Sequence, residues 1–142
     1  MLIQLMPDQI GRYWKDIKDT LSYNLIPTAE LTEEGMTNIL NNLMLGGMQA
    51  WVAIEGESIK ALVVTQVVNE IGTGTNNLLI YSLYGYSFID PKTWQEGIET
   101  LRAFARGKDC VNIIGYTKVG RIVDIVKQLG GDTSMTLIKL EV

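Results

Sequence analysis

Residues 78–109 decide the fold and read L-L-I-Y-S-L-Y-G-Y-S-F-I-D-P-K-T-W-Q-E-G-I-E-T-L-R-A-F-A-R-G-K-D. The first part, Leu78–Phe88, is a run of apolar and aromatic residues, which is typical of a buried strand. The second part predicts a helix over Pro91–Arg106, because its apolar residues recur every three or four positions. Those residues are Trp94, Ile98, Leu101 and Ala105. A strand therefore leads directly into an amphipathic helix.

The junction between this strand and this helix is where many α/β proteins bind phosphate, on free backbone N–H groups at the helix start. Here the junction carries Asp90 and Pro91 in place of glycines and a basic residue. Asp90 is predicted to be the N-cap, so that its carboxylate accepts the N–H groups that an anion would need. Pro91 has no N–H to donate. We expect the protein itself to occupy this site.

The strand–helix pattern repeats after this junction. Val111–Tyr116 is predicted to be a strand, Val119–Leu129 a helix and Met135–Val142 a closing strand. Val111–Tyr116 should run parallel to Leu78–Phe88, because a strand–helix–strand crossover favours parallel pairing. Glycines at 107, 130 and 131 are predicted to end the two helices.

The first half of the chain predicts two helices and then a hairpin. Apolar spacing indicates a helix over residues 8–23, and a second helix begins after Thr32 as N-cap and ends at Gly46. A short opening strand over Leu2–Leu5 is a weaker prediction. Ala50–Ile54 and Ile59–Val68 read as two antiparallel strands. The G-T-G run at residues 72–74 is interpreted as a hairpin loop, because no helix follows it as a nucleotide-binding fingerprint requires.

Composition narrows the classes of function. With 142 residues, of which 46% are hydrophobic, the chain is expected to form one domain, 1–142. The net charge of −4 argues against a nucleic-acid partner. No apolar run reaches the roughly 20 residues of a membrane helix, so we expect a cytoplasmic protein without a membrane partner. The chain has no histidine and a single cysteine, Cys110, which argues against a metal site and against Ser-His-Asp or Cys-His catalysis.

The order helix, helix, three antiparallel strands, helix, strand, helix, strand resembles the GNAT fold of the N-acetyltransferase superfamily over nearly the whole chain. The run L-L-I-Y-S-L-Y-G-Y looks like the central strand of that family, and W-Q-E-G-I-E-T-L-R-A-F-A looks like the helix that follows it. V-N-I-I-G-Y-T resembles the next strand, and I-V-D-I-V-K-Q-L-G-G-D the late helix. The resemblance implies an α/β fold with a mixed sheet and helices on both faces.

The resemblance also implies an acetyl-CoA site, from which this sequence departs. The family wraps the pyrophosphate in a Q/R-x-x-G-x-G/A loop, whereas this chain has no glycine between Tyr86 and the helix. The late-helix tyrosine, often the general acid in the family, would fall near Val126. The family asparagine would fall near Val119 or Thr117. The sequence therefore predicts a degenerate member, with catalytic residues unknown and no cofactor.

Six residues remain as a candidate cofactor-binding cleft at the end of the central strand. The glycine among them indicates a β-bulge, as in the central strand of the family, and the tyrosines are able to donate to a thiolate or a carbonyl. Strand tyrosines nevertheless serve more often in packing. The six are Leu83, Tyr84, Gly85, Tyr86, Lys92 and Tyr116.

Two functions follow from these patterns. The first is a non-catalytic structural or regulatory component that acts through a protein partner or by self-association, with Trp51 and Tyr81–Tyr86 as candidate contact residues. Small GNAT-like chains with worn cofactor loops in bacteriophage genomes are similar to this one, so a phage-encoded protein or a place in the virion fits this reading. The alternative is an acetyl-CoA-dependent N-acyltransferase with an atypical cofactor loop.

Overall fold

The computed structural model describes all residues, 1–142, as a five-stranded mixed sheet with four helices. The nine elements follow the predicted order except at the end of the chain. They are β1 (Leu2–Gln4), α1 (Pro7–Tyr23), α2 (Glu33–Leu45), β2 (Met48–Glu55), β3 (Ser58–Glu70), β4 (Thr75–Gly85), α3 (Pro91–Gly107), β5 (Cys110–Gly115) and α4 (Gly120–Gln128).

The strands lie side by side in chain order, from β1 to β5. Neighbouring strands are antiparallel except β4 and β5, which are parallel. The predicted parallel crossover through α3 is therefore confirmed, as is the short opening strand. The G-T-G run forms the β3–β4 hairpin turn, as predicted.

Helices cover both faces of the sheet, each over its own apolar cluster. On one face, α1 and α2 pack through Ile17, Leu21 and Leu43 against Val52, Leu62 and other side chains of the sheet. On the other face, α3 packs through Leu101 and Ala105 against Trp51, Val63 and Leu78. Period-two alternation along β3 places Leu62 and Val64 in the first cluster and Val63 in the second.

The caps predicted for α2 form at both of its ends. Thr32 accepts the Gly35 N–H through its hydroxyl at 2.9 Å, and α2 ends at Gly46, whose φ of 88° requires a residue without a Cβ. Gly107 is the last residue of α3, as predicted, but the left-handed residue after the helix is Asp109, with φ of 56°. Aspartate tolerates this conformation better than most residues.

The predicted closing strand Met135–Val142 is wrong for the single chain. These residues belong to no strand, and no backbone–backbone hydrogen bond involves residues 132–142. The sequence alternates apolar and charged residues over 138–142, but a strand also needs a neighbouring strand to pair with its N–H and C=O groups. None of the helices has both the length and the apolar composition that a membrane span requires.

Candidate functional site

The site begins where β4 and β5 separate. The two strands pair from Asn76 to Ile80 of β4, and the last partner on β5 is Gly115. β4 continues to Gly85, paired with β3 alone. The backbone groups that β4 directs toward the β5 side over residues 81–85 therefore meet no strand. The result is a wedge-shaped opening at this end of the sheet.

A β-bulge lies at the root of the opening. Val64 pairs with Ser82 and Thr65 pairs with Ile80, so Tyr81 has no partner on β3. Tyr81 packs against the cluster under α1, and the Ser82 hydroxyl donates to the Thr20 carbonyl of α1 at 3.3 Å. Two consecutive side chains thus turn toward the same helix, which bends β4 at the point where it leaves β5.

The sequence predicted this bulge at Gly85, and the structure corrects its position. Gly85 is in regular register with Ala61, and the extra residue is Tyr81, four positions earlier. A glycine in a strand suggests a bulge, but any residue can occupy a bulge that lies in the right-handed region. The identity of residue 81 therefore gives no signal in the sequence for the position of the bulge.

A cavity of about 260 Å³ lies beside the opening, between the end of β4, the start of α3 and α4. Apolar side chains from these elements form most of its wall, and Arg121 of α4 is its one charged residue. The Trp94 indole N–H, from a wall residue, is buried and has no acceptor. The lining residues are Gly85, Ser87, Ile89, Trp94, Val119, Arg121, Ile122 and Ile125.

Arg121 holds α4 against the loop that precedes α3. Its guanidinium donates to the Ile89 carbonyl at 3.0 Å and lies 4.6 Å from the centre of the Phe88 ring. Planar guanidinium groups favour both contacts. Arg121 is not among the site residues predicted from the sequence. A usable signal existed, since Arg121 precedes Ile125 by one helical turn and so shares its stripe.

The start of α3 is capped as predicted. Asp90 accepts the Thr93 backbone N–H at 2.8 Å and the Thr93 hydroxyl at 3.2 Å. These bonds, led by the Thr93 N–H, hold the pKa of the Asp90 carboxyl below its usual value. A negative charge and a missing proline N–H therefore stand where an anionic ligand would approach the helix dipole.

The tyrosines at the end of β4 form an aromatic cluster with α1. Tyr84 lies with its ring centre 5.2 Å from Tyr23 and 5.3 Å from Tyr86, the latter edge-to-face. Burial raises the pKa of Tyr86, and the negative charges of Asp16 and Asp19 raise it further. Tyr23 is not among the predicted site residues, because its neighbours in space come from a distant element.

The structure separates the six predicted cleft residues into different surroundings. Gly85 lines the cavity, whereas Leu83 packs into the cluster under α3. Tyr84 and Tyr86 belong to the aromatic cluster with α1. Lys92 is exposed in the first turn of α3, and Tyr116 is exposed just after β5; neither lines the cavity.

Trp51, a predicted contact residue, is buried instead. Its ring packs edge-to-face on Phe104 of α3, with ring centres 5.1 Å apart. Continuous burial along β2 explains this difference, because β2 is an inner strand covered on both faces.

Solved structures with similar folds are acetyltransferases. The aminoglycoside N-acetyltransferase AAC(6')-Iy, in complex with a bisubstrate analogue of CoA, has a TM-score of 0.73 at 9% identity, with 99% of this chain and 96% of that chain covered. A predicted acetyltransferase from Clostridium acetobutylicum, solved with acetyl-CoA, has a TM-score of 0.68 at 16% identity, with coverage of 99% and 95%.

A third similar structure is the ribosomal-protein-alanine N-acetyltransferase of Brucella melitensis biovar Abortus, with a TM-score of 0.68, 10% identity and coverage of 100% and 99%. This chain has the GNAT fold. No protein-family model and no curated protein matches the sequence. Val119 lines the cavity, and Val126 is half-buried on α4. The resemblance places the family asparagine near Val119 or Thr117, and Thr117 accepts the Val119 backbone N–H through its hydroxyl at 3.0 Å.

Proposed function

We propose that this chain is an acyl-CoA-dependent N-acyltransferase with an altered anion contact, the alternative that the sequence left open. The separation of β4 from β5 beyond Ile80 carries this proposal. An open strand edge offers unpaired N–H and C=O groups to the amides of an extended ligand, as in β-strand addition. The GNAT fold of CoA-bound acetyltransferases supports the same reading.

The cofactor fits one part of this site and not another. The free edge of β4 over residues 81–85 suits the extended amide-containing arm of CoA. The start of α3 does not suit its pyrophosphate, because the Asp90 carboxylate already accepts the Thr93 N–H. Arg121 is the cationic group on the cavity wall and would be the contact for a phosphate. Acyl-CoA would supply an activated thioester.

An unsatisfied donor on the cavity wall points toward a ligand with acceptor oxygens. The Trp94 N–H is buried without a partner, and such groups are rare in folded proteins because each costs about 1–3 kcal/mol. A carbonyl or phosphate oxygen beside Trp94 would remove that cost. Trp94 thus complements Arg121, one as a neutral donor and the other as a charged donor.

The aromatic cluster on the α1 side suits the acceptor. Tyr23, Tyr84 and Tyr86 lie together near the carboxylates of Asp16 and Asp19. Tyrosine faces and nearby carboxylates attract cations, so a protonated amine is the class of acceptor that this surface favours. The open edge of β4 lies between this cluster and the cavity, because Tyr84 faces α1 while Gly85 lines the cavity.

A second candidate function is a non-catalytic structural or regulatory component, including one carried in a phage virion. The capped start of α3 favours it, because Asp90 repels anions from the usual phosphate position. Val126 near the position of the family tyrosine favours it as well, as does the absence of an asparagine at both Val119 and Thr117. This candidate predicts no acyl transfer.

Calorimetric titration with acetyl-CoA separates the two candidates. At a hundred times its dissociation constant a ligand stabilises the folded state by about 2.7 kcal/mol, which a thermal-shift assay detects as well. Arg121→Gln should weaken binding at least about tenfold, in line with loss of a charge-assisted bond. Lys127→Gln is the control, because it removes the same charge from an exposed position of α4, and it should leave binding unchanged.

Release of free CoA thiol in the presence of a panel of primary amines then reports transfer. Saturable binding with transfer supports the acyltransferase. Binding without transfer to any amine, or no binding at near-millimolar acetyl-CoA, refutes it and leaves the non-catalytic component.

A further inference from the structure

The cavity beside the strand opening carries positive charge at a single point. Arg121 is the one charged residue on its wall, and the nearby Lys92 and Lys118 are exposed and lie outside it. Hydrogen bonds from Thr93, and to a smaller degree the charge of Lys92, lower the pKa of the Asp90 carboxyl. Lys92 therefore lies close enough to Asp90 for the two charges to offset each other, which leaves Arg121 as the uncompensated cation.

The start of α3 lacks the donors that a second phosphate needs. A pyrophosphate binds where several backbone N–H groups at a helix start are free. Here the Asp90 carboxylate accepts the Thr93 N–H at 2.8 Å, and Pro91 has no N–H. No glycine lies between Tyr86 and Pro91, so the backbone cannot approach phosphates as a glycine loop does. A second phosphate would meet a carboxylate at this place, and like charges repel.

The open edge of β4 leads into the cavity. β4 pairs with β5 only as far as Ile80, and the last residue of β4, Gly85, lines the cavity. The open edge over residues 81–85 is about 16 Å long at 3.3 Å per residue. The pantetheine arm of CoA contains two amides and has a backbone about as long as four amino-acid residues, or about 14 Å when extended. The edge and the arm thus match in length and in hydrogen-bonding groups.

The donors on the cavity wall suit one phosphate. One of the five N–H groups of the Arg121 guanidinium donates to the Ile89 carbonyl at 3.0 Å, which leaves others for a ligand. The Trp94 N–H, on the same wall, is buried and has no acceptor. A phosphate monoester has several acceptor oxygens and a charge of about −1.5 to −2 at neutral pH. A single phosphate can therefore use both donors.

The nucleotide half of CoA finds no matching charge in this site. Beyond the phosphate of the pantetheine arm, CoA has a second phosphate in its backbone and a third on the ribose. Each adds negative charge to a complex in which the protein already has a net charge of −4, and the cavity wall has no second cation.

We propose that this site recognises its donor as an acyl-phosphopantetheine, and that the adenosine 3′,5′-bisphosphate half of CoA contributes no binding. This inference rests on the proposed acyltransferase function and names the class of its donor. The same group occurs in free acyl-CoA and on carrier proteins that bear phosphopantetheine on a serine. Transfer from either source is one exchange: the amine nitrogen bonds to the acyl carbon, the carbon–sulfur bond breaks, and the amine proton ends on the free thiol.

Calorimetric titrations with three thioesters test this recognition. Acetyl-phosphopantetheine should bind at least as tightly as acetyl-CoA, or within about threefold of it. Acetylpantetheine, which has no phosphate, should bind at least about tenfold more weakly, in line with the loss of a charge-assisted hydrogen bond. Adenosine 3′,5′-bisphosphate should not compete with acetyl-CoA.

Arg121→Gln separates a phosphate contact from a structural role of this residue. The substitution should weaken acetyl-phosphopantetheine at least about tenfold and leave acetylpantetheine unchanged. Lys127→Gln, the control, should change neither. An equal loss for both thioesters would mean that Arg121 only holds α4 in place, and it would overturn the proposal. Equal affinity of the unaltered protein for the two thioesters would overturn it as well.

The remaining outcomes separate this inference from the proposed function. If acetyl-CoA binds more than about threefold more tightly than acetyl-phosphopantetheine, this inference fails and the acyltransferase proposal stands. If no thioester binds, both fail. Thiol release with the amine panel, from acetyl-CoA and from a carrier protein loaded with acetyl-phosphopantetheine, identifies the source by the larger kcat/KM. Release from either supports the shared chemistry, and release from neither overturns both proposals.

Discussion

Replacing Thr65 with valine tests a buried hydrogen-bond chain that lies beside the root of the strand opening. The Trp51 indole N–H donates to the Thr65 hydroxyl oxygen at 2.9 Å, and the Thr65 hydroxyl donates to the Gln49 side-chain oxygen at 2.8 Å. The three residues, Thr65, Trp51 and Gln49, are 0%, 3% and 5% exposed. Thr65 pairs with Ile80, directly before the bulge at Tyr81. The three hydrogen-bonded side chains therefore support the sheet where β4 turns away from β5.

Valine has nearly the shape of threonine but no hydroxyl, so Thr65→Val leaves the Trp51 N–H and the Gln49 oxygen without partners. Each orphaned buried group costs about 1–3 kcal/mol. Since valine recovers part of this as apolar burial, we expect the free energy of unfolding to fall by about 2–5 kcal/mol. At this chain length the loss corresponds to a fall in Tm of roughly 6–20 °C. Urea unfolding followed by tryptophan fluorescence measures it.

Thr65→Ser is the control because it keeps the hydroxyl and removes one methyl group, at a cost of about 1 kcal/mol. A double-mutant cycle with Trp51→Phe isolates the bond between the two side chains, and its coupling energy should be about 0.5–3 kcal/mol. If Thr65→Val costs no more than Thr65→Ser, or if the cycle shows no coupling, the hydrogen-bond chain does not stabilise the protein as argued.

Three further predictions concern the start of α3 and the end of α4. Asp90→Ser keeps an N-cap acceptor but removes a negative charge, so acetyl-CoA should bind about two- to fivefold more tightly. Asp8→Ser, the control, should not change binding. Equal effects of the two substitutions would show that the Asp90 charge does not act locally on the ligand. The pKa of Asp90 is lowered in the folded state. The contribution of Asp90 to stability is therefore present above the pKa of the unfolded chain, about 4, and is lost as the pH falls through the folded-state pKa. The Tm difference between wild type and Asp90→Ser should therefore shrink across that acid window, and a constant difference would contradict the assignment. Gly131→Ala should destabilise the protein by about 1–3 kcal/mol through overlap with Val126, while Gly120→Ala, with open space around its position, should not; similar Tm values for the two variants would show that the turn at the end of α4 is not fixed.

The helices were predictable because their signals are local. Apolar spacing of three and four residues placed α1 and α3, and the N-caps Thr32 and Asp90 marked helix starts to the residue. An N-cap acts on the N–H groups two or three positions later, so the sequence contains both partners. The parallel pairing of β4 and β5 also followed from chain order, since a strand–helix–strand connection restricts handedness and direction.

The candidate site was predictable only in part. Of the predicted cleft residues, Gly85 lines the cavity, whereas Tyr84 and Tyr86 face α1 and Leu83 belongs to the core. Alternation along a strand fixes which residues share a face, but a bulge moves the alternation by one position, and its location depends on pairing with β3. Arg121 escaped notice because its partners, Ile89 and Phe88, are more than 30 positions away.

The sequence by itself determined the order of the elements from β1 to α4 and the capped start of α3. Tertiary structure alone decided that β4 leaves β5 after Ile80, that Arg121 enters the cavity wall, and that residues 132–142 pair with no strand. The reason is physical. Helix formation and capping are completed within a few residues of chain, whereas a strand, a cleft or a charge contact is completed only by groups that folding brings from elsewhere.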